Sequence, residues 1–222
     1  MKQLDQKIGL YRPERAKDSC GFGLIAHQHG KNSHELVSTA CKALARMTHR
    51  GAIAVDGKTG DGCGVLMRFP KSFFKKVAKE EGMMLGRVFG VGMVFLNQDP
   101  DIAARSRKIL KKHIKNETLS IGGWRTVPIN PSVCGQTALE SMPCIEQVFV
   151  NAPPGWEPHD VERRLFVARR MAAAENMNLD EPDEKFYVAA LSNLTAVYKG
   201  LVMPENLPEF YPDLKDPRFK SS

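Results

Sequence analysis

The sequence predicts an α+β protein in which sheets are covered by helices rather than a helix bundle. Two apolar runs of strand length, CGVLMRF at 63–69 and VFGVGMVFL at 88–96, read as buried strands. Segments with helical spacing of apolar residues alternate with such runs, and no internal repeat links them. With 222 residues and 42% hydrophobic content, the chain can bury one sizeable core.

Taken in order, residues 20–28 read as a strand headed by Cys20. Gly21 and Gly23 flank Phe22 there, where the backbone must turn sharply or approach something closely. NSHELVSTACKALARM then reads as a helix, with Asn32 as N-cap and Glu35 completing a capping box. Its apolar face is Leu36, Ala40, Leu44 and Met47. After the strand at 88–96, Asp99 caps and Pro100 opens a basic helix. Ile109, Leu110 and Ile114 are its inner face, so the cationic run RSRKILKKHIK is a solvated surface rather than a nucleic-acid groove, for which aromatic interleaving is missing. CIEQVFV at 144–150 reads as a strand with imperfect alternation. The segment 160–177 reads as a helix with Val161, Leu165, Ala168 and Ala172 on one side and arginines on the other. FYVAALSNLTAVYKG, at 186–200, holds one long or two short strands. MPENLPEFYPDLKDPRFKSS has four prolines and no periodicity, so the core is expected to lack a closing element and the fold to be incomplete at its C-terminus.

Several function classes are set aside on composition and spacing. The net charge of +7 does not by itself call for nucleic acid, because position matters more than total. No stretch in the first nineteen residues has signal-peptide character and no segment approaches a membrane span, so a cytoplasmic protein without membrane contact is expected. Cys20, Cys41, Cys63, Cys134 and Cys144 are scattered without CxxC spacing, against both a disulfide scaffold and a structural zinc site. DGKTGDGCG at 56–64 contains GKT, but the first glycine of a phosphate loop would fall at Ala52, one place after Gly51. His27 and His29 alternate on one predicted strand face without a third ligand, and no metal is expected. Asp160 with Glu162, and Glu80 with Glu81, read as helix-surface charges. Asn193 heads an NLT triplet that matters only in a secreted protein.

Cys20 gains meaning beside HRG at 49–51 and GDGCG at 60–64. CGFGLIAH, ALARMTHRGAIAVDGKTGDGCGVL, VGMVFLN, TLSIGGWRTVP, IEQVFVNAP, RRLFVARR and LSNLTAVYKGL stand in the order found in one family. From about Tyr11 onward the chain resembles the N-terminal class II glutamine amidotransferase region of the large (alpha) subunit of bacterial NADPH-dependent glutamate synthase. That resemblance implies an N-terminal nucleophile hydrolase fold, a four-layer αββα sandwich of two antiparallel sheets between helical layers. It also implies a pro-segment at residues 1–19, removed before Cys20, followed by a partial amidotransferase domain at 20–222.

Cys20 would then be the nucleophile at the start of the mature chain. The chemistry fits, since a thiol with pKa about 8.5 is mostly protonated at neutral pH and a free α-amine with pKa about 7.7–8 can serve as its base. The implied reaction is attack of the thiolate on the side-chain amide of L-glutamine, release of ammonia, and hydrolysis of the glutamyl thioester. The complete enzyme would use FMN, an iron–sulfur cluster and NADPH, none of them bound by this stretch, with the rest of the large subunit and a small (beta) subunit as partners. Arg50 and Gly51 match the family's HRG element, which assigns Arg50 to the nucleophile pocket; on physics alone Arg50 reads equally as a cation at a helix C-terminus. Asp61 in the glycine loop is a further pocket candidate. No HQRF-like or NGE-like segment is present to hold the substrate carboxylate or the oxyanion, so residues 1–222 alone are expected to lack useful glutaminase activity. The competing reading is a non-catalytic folding or interaction module whose sheets are completed by a partner.

Overall fold

A computed structural model describes residues 21–48 and 51–222. Helix α1 (His34–Ala45) starts one residue later than the capping box suggests. Ser33, not Asn32, is its N-cap, its hydroxyl accepting from Leu36 N at 3.1 Å. The extended run expected at 20–28 is no strand over residues 21–28: it makes no ladder bonds, and Phe22 is 91% exposed. Strand β1 (Cys63–Arg68) follows, then α2 (Lys71–Glu80), whose Phe73, Phe74, Val77 and Ala78 are buried but lack a long enough repeat to stand out in the sequence. β1 is half-buried rather than buried throughout, because its residues alternate and Leu66 is 71% exposed.

Strand β2 (Phe89–Leu96) is buried at every position, as its continuous apolar run requires. Asp99 caps α3 (Pro100–Asn116), accepting from the backbone N–H groups of Asp101 and Ile102 at 2.9 and 3.1 Å. Ile109, Leu110 and Ile114 face inward, leaving lysines 108, 111, 112 and 115 in solvent. Strand β3 (Ser120–Thr126) carries Gly122, Gly123 and a buried arginine, which masked it in the sequence. After α4 (Gln136–Ser141) come β4 (Cys144–Asn151) and α5 (Pro158–Met177), with Val161, Leu165, Ala168 and Ala172 fully buried.

The run 186–200 makes two strands, β5 (Tyr187–Ser192) and β6 (Thr195–Gly200), and they enter different sheets. Glu162 of α5 enforces the switch: its Oε2 accepts from Ser192 Oγ at 2.9 Å and from Asn193 N at 2.8 Å. It caps the turn and is not the idle surface charge its helix position suggests. One sheet has the order β3-β4-β2-β5 and the other pairs β1 with β6, all antiparallel.

Two apolar clusters fix the layers. Leu110, Ile114, Leu165, Ala168 and Ala172 pack on one face of the four-stranded sheet, against Val94, Val148 and Val150. The other face meets the two-stranded sheet, with Val37 and Cys41 of α1 beyond it and Phe73 and Phe74 of α2 at its side. Helices, sheet, sheet and helix thus follow one another through the molecule. The proline-rich tail corrects the expectation of an unclosed, ragged core. Leu207 in α6 (Leu207–Phe210), Tyr211 and Phe219 are fully buried in the inter-sheet cluster, and Ser221 bridges to Ser33. Proline-punctuated short turns deliver large side chains without any period to announce them.

A charged group lies in this inter-sheet layer. Arg125 of β3 makes a two-pronged pair with Asp213 of the tail, at 2.7 and 2.8 Å, and also donates to Gln147 Oε1 of β4 at 2.9 Å. Gln147 donates to the Tyr198 hydroxyl of β6 at 2.9 Å, and that hydroxyl donates to Asp213 Oδ2 at 2.8 Å. All four are buried. Burial with Asp213 alongside raises the Tyr198 pKa well above its ordinary value, so the phenol stays a donor. Arg125→Met strands a buried carboxylate and should cost about 3–5 kcal/mol. Equilibrium urea unfolding measures that loss, and Arg125→Met combined with Asp213→Leu should recover most of it.

Candidate active site

The chain leaves α1 through a turn in which Gly51 N donates to Thr48 O at 3.1 Å. It then runs out and back as a narrow loop. Ala54 N donates to Thr59 O, Asp61 N donates to Ala52 O, and Ile53 and Gly60 form an isolated bridge. Asp61 closes the base of the loop, its Oδ2 accepting from Ala52 N at 3.0 Å. A Cβ on Gly51 would stand 2.9 Å from Asp61 Oδ1, so only glycine allows this closure without a shift. Two of the sequence candidates, Gly51 and Asp61, are therefore in contact. Cys20 and Arg50 lie outside the described residues.

The surroundings of this loop are two hollows that share β1 as a wall. One, of about 620 Å³, lies between the sheets and is lined by Asp61–Leu66, Phe95, Ala138, Met142, Lys199 and Phe210 among others. The second, of about 640 Å³, runs between α1, β1 and residues 21–26. Leu36, Ala40, Leu44 and Met47, the face expected to be α1's core side, line this groove, while Val37 and Cys41 take the core. Gly21, the residue after Cys20, also lies on it.

The described thiols are poor nucleophiles. Burial pushes the Cys63 thiol up to about 12, helped by the charges of Glu205 and Asp61, and its Sγ lies 3.3 Å from Val202 O. Burial also raises Cys41, Cys134 and Cys144. A thiol held protonated at neutral pH does not attack an amide.

The sequence overlooked Asp56 and Thr59, inside the GKT segment set aside as a failed phosphate loop. Asp56 accepts from Thr59 Oγ1 at 2.6 Å and from the backbone N–H groups of Thr59 and Lys58. The Thr59 hydroxyl first, and then those N–H groups, hold the carboxyl far below the usual carboxylate range. An aspartate bonding its own backbone two and three residues on is a turn signal available in the sequence. His27, expected on a strand face, instead caps a turn, Nδ1 accepting from His29 N and Lys31 N. Among the described residues no group of three or more His, Cys, Asp or Glu could hold a metal ion, and no helix is long and apolar enough to cross a membrane.

A layered antiparallel α+β fold with a glycine-built loop after its first helix is what comparison with known proteins can be set against. The family model of class-II glutamine amidotransferases matches residues 20–222. The chain belongs to that family. It is 41% identical over 221 residues to the NADPH glutamate synthase large chain of Bacillus subtilis, covering 99% of this chain and 14% of that protein. Against ferredoxin-dependent glutamate synthase 2 of Synechocystis the figure is 38% over 208 residues, 93% of this chain and 13% of the relative. The NADPH glutamate synthase large chain of Azospirillum brasilense is 38% identical over 216 residues, 95% of this chain and 14% of its own length. The chain thus spans a small part of the length of these relatives.

Gly51→Ala should disturb the loop base by forcing the new methyl against Asp61. Amide exchange of Ala52 and Asp61 should quicken. Asp61→Ala alone should also quicken exchange at Ala52, whose N–H loses its acceptor, and the two changes together should give less than the sum of their effects, because the colliding oxygen is gone.

Proposed function

We propose that this chain is the glutaminase part of a glutamate synthase large chain, hydrolysing L-glutamine to glutamate and delivering ammonia to 2-oxoglutarate for glutamate biosynthesis in the cytoplasm. The observation that carries the reading is the start of the family match, which falls on Cys20. Residues 1–19 are then a pro-segment, and 20–222 part of the amidotransferase domain. The order helix, sheet, sheet, helix supports an N-terminal nucleophile hydrolase sandwich.

Cys20 attacks the glutamine side-chain amide, its own freed α-amine taking the thiol proton. The tetrahedral adduct collapses to a glutamyl thioester, with the proton going to the departing ammonia, and water then releases glutamate and restores the thiol. The raised thiols of Cys41, Cys63, Cys134 and Cys144 support Cys20 as nucleophile by leaving no rival among the described residues. Arg50 supplies positive charge beside the nucleophile. Gly51 and Asp61 shape the loop base that follows Arg50 in the chain, Asp61 through the Ala52 N–H rather than by touching substrate. No residue here is given the oxyanion or substrate-carboxylate role.

FMN, an iron–sulfur cluster and NADPH serve the remainder of the enzyme, together with the rest of the large subunit and a small subunit. Cys41, Cys63, Cys134 and Cys144 are free and form no metal-binding group among the described residues, so they do not fit an iron–sulfur cluster, and no step here runs through one.

In the full-length gene product, Cys20→Ala should abolish ammonia release from glutamine while the melting temperature holds. A mutant that keeps the wild-type rate overturns the reading. Arg50→Lys keeps the charge and loses the planar fork, so it should slow turnover or thiol alkylation at near-wild-type melting temperature. Lower stability with normal kinetics would return Arg50 to a helix-terminal role.

A further inference from the structure

The loop that bears Gly51 and Asp61 at its base is fastened at its far end to a helix eighty residues away in the chain. α4 begins at Gly135, an N-cap without a side chain, and its first backbone donors are met from outside. Asp56 Oδ2 accepts from Thr137 N at 3.1 Å, and Thr59 Oγ1 accepts from Ala138 N at 3.2 Å while donating to Asp56. The fit is close. A Cβ on Gly135 would come within 2.4 Å of both Asp56 Oδ2 and Thr59 Oγ1. Thr59 is buried although it sits in a loop of exposed residues.

α4 in turn forms part of the wall of the inter-sheet cavity through Ala138 and Ser141, and Asp61 and Gly62 form another part from the loop. The loop base and the cavity wall are therefore held in one frame, with Asp56 and Thr59 as the fastening. Burying the Thr59 hydroxyl is costly unless it meets its partners, and here it donates to Asp56 and accepts from Ala138 N.

We propose that Asp56 and Thr59 are positioning residues for glutamine hydrolysis, clamping the Gly51–Asp61 loop to α4 so that the loop base, which follows Arg50 in the chain, keeps its place relative to the cavity. This rests on the glutaminase reading. Neither residue touches substrate, and both act through the loop. Misplacement of a reacting group by about 1 Å can cost a hundredfold, so a slackened clamp is expected to show in turnover before it shows in stability.

Thr59→Val removes the hydroxyl at nearly constant shape, Thr59→Ser restores it, and Asp56→Asn turns an amide N–H₂ toward donors that need an acceptor. All are assayed in the full-length gene product beside Ile114→Val, a mildly destabilising change in the far apolar cluster. Thr59→Val and Asp56→Asn should lower kcat/KM for glutamine by about tenfold to a hundredfold. Thr59→Ser and Ile114→Val should stay near wild type. Amide exchange at Thr137 and Ala138 should quicken only in the two impaired variants. The proposal is overturned if the wild type hydrolyses glutamine and Thr59→Val and Asp56→Asn match it, or if Ile114→Val loses as much activity as they do. A wild type that releases no ammonia, with exchange still quickened in both variants, instead overturns the glutaminase reading and leaves a clamp without that reaction to serve.

Discussion

The pair of Arg125 and Asp213, buried between the two sheets, is the constraint on which the rest of the architecture depends. A guanidinium there is tolerable only with its donors met, and the network that meets them joins four separate stretches: Arg125 from β3, Gln147 from β4, Tyr198 from β6 and Asp213 from the tail. An ion pair of this kind adds little net stability compared with a packed apolar substitute. What it does add is uniqueness. Sliding the small sheet over the large one strands the Tyr198 hydroxyl and the Gln147 amide, and shifting the tail leaves the Arg125 guanidinium and the Asp213 carboxylate unpaired in the core, so one arrangement is favoured over its neighbours.

That alignment decides where chemistry can sit. Large aromatic side chains from α2, β6 and the tail fill the inter-sheet cluster, with Phe73 and Phe219 at a ring separation of 4.7 Å and Tyr198 and Tyr211 at 5.1 Å. At the other end of β1 the packing thins, and the cavity beside Asp61 and Lys199 remains. β1 belongs to both hollows, since Gly64, Val65 and Leu66 line each of them. The glycine-built loop feeds directly into that strand, so its geometry passes to the cavity edge within two residues.

Much of the fold was legible because its signals are local. The continuous run of β2, the Asp99–Pro100 start of α3 and the four-residue spacing on α5 each follow from one element's own burial. What stayed hidden depends on partners distant in sequence. β3 holds a buried arginine that looks like a surface residue until Asp213 is placed beside it. α2 is short, and the tail carries Leu207, Tyr211 and Phe219 inward without a period. Residues 21–28 have strand-like composition but make no ladder bonds, and composition cannot supply a neighbour. In the site, glycine density at 60–64 pointed to the loop that Asp61 closes at its base. Its fastening did not show, since Asp56 and Thr59 find Thr137 and Ala138 only once the chain has folded back on itself.

The thiols carry the last step of this reasoning. A cysteine becomes a nucleophile where its thiolate is stabilised or a base is at hand, and becomes inert where water is excluded without compensation. Cys63 stands at the lip of the cavity, two residues from Asp61, in the place where a nucleophile might be sought on geometry alone. Yet burial removes solvent, Glu205 and Asp61 lend it negative charge, and the thiol donates to the Val202 carbonyl, so the proton is favoured to stay on. The loop carrying Asp61 is hostile to a thiolate at Cys63. Burial and like charge are the physical ground for seeking the reactive sulfur outside the described thiols, which is what the proposal for Cys20 does.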